Sequence, residues 1–267
     1  MPEGDTIFRT AAALRELLVG REVLAARART PGPAIERVVG SRVTSVEALG
    51  KHLVIHFDHG LALHTHLRMG GAWHRYPPGE RWRRPAWQAR VVLEVPQHVV
   101  VCFNAPVAEL LEERAVEHHP AIQTLGPDLL APAFDVDEAL RRLRARSAMA
   151  IGEALLDQRA LAGIGNVFKN EILFLERMHP WRSVGELDDP SLRRVLVTAE
   201  RLLRLNVQLG WLSRTTTLGD PAARAGSRLW VYGRAGRPCF RCGARIQRRR
   251  QGELPRITYW CPDCQPA

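Results

Sequence analysis

Four cysteines near the end of the chain constrain it most. Cys239 and Cys242 form one C-x-x-C pair and Cys261 and Cys264 a second, with residues 243–260 between them. Two such pairs supply a tetrahedral thiolate cage for Zn²⁺, and the intervening stretch is long enough for a β-hairpin. Four sulfur ligands leave no open coordination position, so one structural zinc is expected. It contributes on the order of 10 kcal/mol to a segment too small to bury a core. Cys102 lies outside this pattern, on an apolar stretch that reads as a buried strand.

Between the cysteine pairs stand Arg245, Arg248, Arg249, Arg250 and Arg256, a basic hairpin suited to lie along a phosphate backbone. The whole chain agrees: 38 basic against 28 acidic residues give a net charge of +10. A polyanion is the expected partner, nucleic acid before an acidic membrane surface. No apolar run approaches the ~18–20 residues that span a bilayer, and no signal-peptide pattern opens the chain, so a cytoplasmic protein is expected. Thiols there stay reduced, which favours metal ligation over disulfides. Lys51 and Lys169 are the only lysines among those 38 basic residues. A lysine kept on an arginine background is a candidate for proton transfer, which arginine performs badly.

Hydrophobic periodicity divides the rest. Residues 3–19 carry helical spacing, with Ile7, Leu14 and Leu18 on one face and Pro2 at the helix start. From about 35 to 104 the period becomes two: Leu53, Ile55 and Phe57 alternate with their neighbours, and Asp58-His59-Gly60 reads as a hairpin turn into Leu61–Leu67. Gln88–Val95 and His98–Phe103 read as another strand pair. After about 105, Val136–Leu143, Ala148–Leu156, Glu171–Leu175 and Leu192–Leu209 return to helical spacing, while Thr215–Arg228 reads as a loop. The expected fold is α+β. An N-terminal β-sandwich with an N-terminal helix spans 1–115, a helical domain 116–228, and the zinc β-hairpin finger 229–267. His64 and His66, one residue apart on a strand face, have no companion carboxylate in the sequence around them and are read as structural.

Several segments together resemble the formamidopyrimidine-DNA glycosylase and endonuclease VIII family of base-excision repair. They are Pro2-Glu3-Gly4, Gly50-Lys51 in a strand, Leu125-Gly126-Pro127-Asp128, Leu156-Asp157-Gln158, Gly163-Ile164-Gly165-Asn166 and the finger ending Cys261-Pro262-Asp263-Cys264-Gln265. Pro2-Glu3-Gly4-Asp5 and Tyr259-Trp260-Cys261 look more like the endonuclease VIII branch. The resemblance implies a helix-two-turns-helix in the helical domain. It also implies a bifunctional glycosylase/AP lyase in which Pro2, exposed by loss of Met1, attacks C1′ and forms an imine. Its α-amino group titrates near ~7.7–8.0, so a useful fraction is unprotonated at neutral pH.

By the same resemblance Glu3 is the acid/base group, Lys51 donates a proton in the first elimination, and Arg256 assists the second. Met69 is the expected intercalating residue, with Arg68, Thr124 and Asn166 as further DNA contacts; Asn166 adds a side-chain donor to the phosphate-binding turn. The implied partner is double-stranded DNA containing damaged bases or abasic sites, bound by a monomer. The arginine–phenylalanine pair of the 8-oxoguanine branch is missing from Asn104–Glu109, and Gly152 stands where that branch has lysine, which favours oxidised pyrimidines. Two alternatives stay open: a purine-directed glycosylase, and a non-catalytic zinc-containing protein that binds damaged DNA.

Overall fold

The period-two stretches form two antiparallel sheets. One has the order β1 (Ala25–Ala28), β6 (Ala89–Val95), β7 (His98–Phe103), β5 (Ala72–Tyr76); the other β2 (Val43–Leu49), β3 (His52–Phe57), β4 (Leu61–His66), β8 (Val107–Glu112). A computed structural model describes residues 2–210, 214–220, 223, 227–253 and 255–267. The chain divides into two compact units, Met1–Thr124 and Leu125–Ala267.

In the first unit the sheets enclose one core. Leu53, Ile55 and Leu63 come from one sheet, Val91, Leu93, Val100 and Cys102 from the other, and Ile7 and Leu14 from helix α1 (Gly4–Leu18). Each large apolar side chain so buried contributes about 1.5–3 kcal/mol. Cys102 is fully buried there, and burial pushes its thiol well above the usual range, as expected of an inert core residue. The second sheet is covered on its other side as well: Val54 and Ala62 pack on Val116 of α2 (Glu113–Glu117), and α3 (Pro120–Gln123) follows.

The second unit carries α4 (Val136–Arg144), α5 (Ile151–Ala154), α6 (Asn166–Leu175) and α7 (Asp189–Gln208), then the hairpin β9 (Gln247–Gln251) and β10 (Arg256–Trp260). Side-chain caps set two of the helix starts. Asp135 accepts the Glu138 N–H at 2.9 Å, and Asp188 accepts the Ser191 N–H at 2.8 Å. Phe174 of α6, Trp230, Cys239, Ile246 and Cys261 share one apolar cluster, so the finger packs on α6 within this unit.

Three expectations shift. The helix expected over Ala148–Leu156 shrinks to Ile151–Ala154, because Ala150 is extended and bridges Ser183. The helix expected to begin at Glu171 begins at Asn166. Of the expected loop Thr215–Arg228, the described residues form neither helix nor strand, and 221–222 and 224–226 lie outside the described residues.

Candidate catalytic and nucleic-acid-binding residues

Pro2 precedes α1 and lies outside it, so it does not occupy the first helical turn as its position suggested. Glu3 is the N-cap, with φ −126° and ψ −177°; its carbonyl accepts the N–H groups of Thr6 at 2.9 Å and Ile7 at 3.1 Å. A capping role would aim the carboxylate at the N–H of Asp5 or Thr6. Instead the Glu3 side chain makes no cap hydrogen bond and is 0% exposed. Glu3 thus places a buried carboxylate next in sequence to Pro2, a group of the type that transfers protons.

Gly50 and Lys51 form the turn between β2 and β3 instead of continuing a strand, and Gly50 has φ +57°. The turn sets Lys51, half-buried, beside a group of histidines. His52 and His66 face each other across β3 and β4 with ring centroids 4.7 Å apart. Burial first, and then the charges of His66, His64, His119 and Lys51, push His52 down to about 3. Burial, then Arg68, Lys51 and His64, push His66 down to about 4. Both rings are therefore neutral near pH 7.

His66 Nδ1 accepts the N–H of Arg68 at 3.2 Å, which fixes the entry to the turn after β4. Arg68 takes the left-handed conformation, φ +44°, and Gly71 N–H closes the turn on the Leu67 carbonyl at 2.9 Å. A Cβ on Gly71 would stand 2.6 Å from that carbonyl oxygen, so the closure requires glycine. At its tip Met69 is 63% exposed, which rules out core packing, and Arg68 beside it is exposed. Arg84 Nη1 donates to the Gly70 carbonyl at 3.2 Å and braces the turn from outside. Thr124, exposed at the end of α3, returns its hydroxyl to the Pro120 carbonyl at 2.7 Å.

His64 corrects the expectation of a carboxylate-free histidine pair. Its cross-strand partner on β8 is Glu109, with Nδ1 and Oε2 3.1 Å apart. The pairing is invisible locally because the two residues are brought together only by strand register.

In the second unit, motifs far apart in sequence meet at the turn preceding α6. Gly126 N–H donates to the Gln158 carbonyl at 2.8 Å, and Ala162 N–H to that of Pro127 at 3.0 Å. Gln158 spans the glycine-rich turn: its Oε1 accepts the Gly163 N–H at 3.1 Å, and its Nε2 donates to the carbonyls of Leu156 at 2.9 Å and Ile164 at 3.0 Å. Gly165 is the N-cap of α6 and Asn166 its first residue. The Asn166 amide Nδ2 donates to the Ile257 carbonyl at 2.9 Å.

Helix α6 carries a polar stripe that sequence periodicity missed. Lys169 Nζ donates to Thr258 Oγ1 at 2.5 Å, and Asn170 Oδ1 accepts the Tyr259 N–H at 2.6 Å. Glu171 accepts the N–H groups of Trp230 at 2.7 Å, Val231 at 2.9 Å and Tyr232 at 2.8 Å. Lys169, Asn170 and Glu171 are all 0% exposed and fasten the finger to the helix. The available signal was Asn166, Lys169 and Asn170 at helical spacing on an otherwise apolar segment.

Register on the finger pairs Thr258 with Arg249 and Ile257 with Arg250. Arg248, Arg249, Arg250 and Arg256 are exposed, while Gln251 is buried, donating to the Pro180 carbonyl at 2.8 Å. The cysteine cluster fits a tetrahedral metal. Zn–S bonds of ~2.3 Å imply S···S edges of about 3.8 Å. The Sγ atoms of Cys239 and Cys264 are 3.9 Å apart, those of Cys242 and Cys261 3.4 Å, and all four lie within 4.8 Å of one another.

Residues 1–107 match the formamidopyrimidine-DNA glycosylase N-terminal domain, and residues 125–217 the formamidopyrimidine-DNA glycosylase H2TH domain. The probable endonuclease 8 2 of Streptomyces coelicolor is 44% identical over 268 residues, covering 99% of this chain and 94% of its own. The DNA-(apurinic or apyrimidinic site) lyase Nei2 of Mycolicibacterium smegmatis is 43% identical over 267 residues, covering 100% of both. The fold is that of the Lactococcus lactis formamidopyrimidine-DNA glycosylase bound to abasic-site DNA, with a TM-score of 0.83 at 22% identity over 100% of both chains. This chain belongs to the formamidopyrimidine-DNA glycosylase/endonuclease VIII family.

Proposed function

We propose that the protein is a bifunctional DNA glycosylase/AP lyase that removes oxidised bases, preferentially pyrimidines, from double-stranded DNA. It acts as a cytoplasmic monomer and nicks the strand by β,δ-elimination. The observation that carries the reading is the Pro2–Glu3 pair, in which the carboxylate is buried and does not cap the helix that follows. The names of the relatives, endonuclease 8 and DNA-(apurinic or apyrimidinic site) lyase, support the same chemistry.

Once Met1 is removed, the Pro2 secondary amine attacks C1′ of the damaged nucleotide. Glu3 protonates the sugar ring oxygen, the base departs, and an iminium links Pro2 to C1′. The iminium acidifies the C2′ proton. Its loss breaks the bond to the 3′ phosphate oxygen, with Lys51 as proton donor, and a second elimination breaks the 5′ bond with Arg256 at the phosphate. Met69 fills the space left by the extruded nucleotide, with Arg68 beside it and Thr124 as a further contact. Asn166 stands at the positive end of α6, where the helix dipole favours a phosphate.

Residues 1–115 serve as the catalytic part, 116–228 as the DNA-binding helices and 229–267 as the finger. The finger is held by one Zn²⁺ on Cys239, Cys242, Cys261 and Cys264. That metal organises the arginine hairpin and takes no part in the chemistry, since its ligand set is complete. Preference for pyrimidines is supported by the β7–β8 connection, residues 104–106, which leaves no loop long enough to insert an arginine–phenylalanine reader.

Borohydride trapping tests the reading, using duplexes that contain thymine glycol, dihydrouracil, 8-oxoguanine or an abasic site. The expected result is a covalent complex with oxidised pyrimidines that disappears in Pro2→Gly and weakens in Glu3→Gln. Adducts with 8-oxoguanine alone would overturn the pyrimidine preference. No adduct with any lesion, from zinc-loaded protein lacking Met1, would overturn the enzyme.

A further inference from the structure

The histidine–carboxylate cluster on the outer side of the second sheet is not used by the mechanism above. His64 on β4 and Glu109 on β8 are register partners, and His119 immediately precedes α3. One carboxylate oxygen, Glu109 Oε2, lies 3.1 Å from His64 Nδ1 and 3.3 Å from His119 Nε2. The three ligand atoms all fall within 4.8 Å of one another.

The geometry points to a second divalent-metal site, built from His64 Nδ1, Glu109 Oε2 and His119 Nε2 and suited to a borderline ion of the Zn²⁺ class. Zn–N and Zn–O bonds of ~2.0–2.2 Å give tetrahedral edges of about 3.3–3.6 Å, and two sides of the triangle already stand close to that length. Two imidazoles and a carboxylate form a mixed nitrogen–oxygen set, distinct in chemistry from the four thiolates of the finger. Three protein ligands leave a coordination position for water. The side chains of Glu109, 44% exposed, and His119, 21% exposed, open the site to solution, while His64, 1% exposed, anchors it.

The surroundings favour the ligand forms. His64 Nε2 lies 2.8 Å from His52 Nδ1. When Nδ1 of His64 binds the ion, its proton resides on Nε2 and is donated to His52, the outer hydrogen bond that orients a metal-bound imidazole. Each ring needs only a change of tautomer. His119 opposes this in one respect, since its Nδ1 accepts the Ala121 N–H at 3.3 Å and must release that contact to carry the proton. Loss of one long capping bond weakens binding by about tenfold at most. The bound ion would tie β4, β8 and the entrance to α3 into one cross-linked edge.

Full-length protein loaded with one equivalent of Zn²⁺ is titrated with Co²⁺, followed by calorimetry and visible absorption. A second equivalent should bind with a Kd near the micromolar range and show weak d–d bands without the thiolate charge-transfer band of a cysteine site. Glu109→Gln and His119→Asn, the latter keeping a capping acceptor, should each weaken that equivalent at least about tenfold, with unchanged melting in the absence of added metal. Absence of a second equivalent below about 1 mM overturns the site. So does a second equivalent that both variants leave intact.

Discussion

The side-chain amide of Asn166 donates to the main-chain carbonyl of Ile257 at 2.9 Å, so the first residue of α6 holds the strand residue next to Arg256. A turn assembled from Gly126, Gln158 and Gly163 thereby fixes where the finger begins its second strand. Asn166→Ala removes the donor and leaves the carbonyl without its partner, at a cost of about 1–3 kcal/mol. The melting temperature should fall and affinity for abasic-site DNA should weaken about tenfold, read by calorimetry and fluorescence anisotropy. Unchanged melting and affinity would show that the finger is held without this bond.

Met69 makes a different prediction because it is 63% exposed. Truncating an exposed side chain leaves stability within about 0.5 kcal/mol. If it fills the space of the extruded nucleotide, Met69→Ala should slow base excision from a lesion duplex about tenfold in single turnover. An abasic site has no base to extrude, so lyase activity on it should change less. Equal loss on both substrates would mean that Met69 serves DNA binding in general.

His74 supplies a pH dependence. Burial, then the charges of Arg84 and Arg83, lower its pKa below the ordinary value. Its Nδ1 lies 2.9 Å from Tyr76 Oη, which also accepts the Arg83 N–H at 3.1 Å, an arrangement suited to a neutral ring. Below the unfolded value of about 6.5 the unfolded chain takes up a proton that the folded ring resists, so the stabilisation is complete above that pH and is lost as pH falls. His74→Gln should show a shallower decline in denaturation midpoint between pH 6.5 and 4.5 than the parent. Parallel profiles would remove His74 from the acid response.

What the sequence revealed follows what periodicity and spacing encode. β6 and β7 were legible as apolar runs on either side of a short connection, buried along most of their length, and the finger was legible from four cysteines because metal ligation fixes spacing. Asn166–Leu175 was legible only from Glu171 onward, because its buried polar residues interrupt the apolar pattern while satisfying one another and the finger. The segment Ala148–Leu156 departs in the opposite sense: Ile151, Ala154 and Leu155 are buried, but Ala150 is extended against Ser183. Glu109 beside His64 depends on strand register between β4 and β8, which a local pattern does not contain. Lys51 stood out by composition and by the Gly50-Lys51 motif, and its place in a turn beside neutral histidines could not be read from either.

Gly152 shows how an apparent departure from the other branch becomes a packing statement. A Cβ at this position would lie 2.5 Å from Oε1 and 2.9 Å from Nε2 of Gln251, and 3.0 Å from the Pro180 carbonyl. That glutamine is buried; it donates to the Pro180 carbonyl at 2.8 Å and accepts the Thr258 hydroxyl at 2.8 Å. The space a lysine would need is therefore taken by a finger residue, and the two positions are coupled. Gly152→Ala should displace Gln251 and cost about 1–3 kcal/mol. Gln251→Ala should also destabilise, by taking from the Pro180 carbonyl one of two donors, the other being the Gly152 N–H at 3.0 Å, and by removing the acceptor of the Thr258 hydroxyl. With the amide gone, the double variant should lose less than the sum of the two single changes, an interaction energy of about 0.5–3 kcal/mol. Chemical denaturation of the four proteins measures it, and strict additivity would show that Gly152 is set by something other than Gln251.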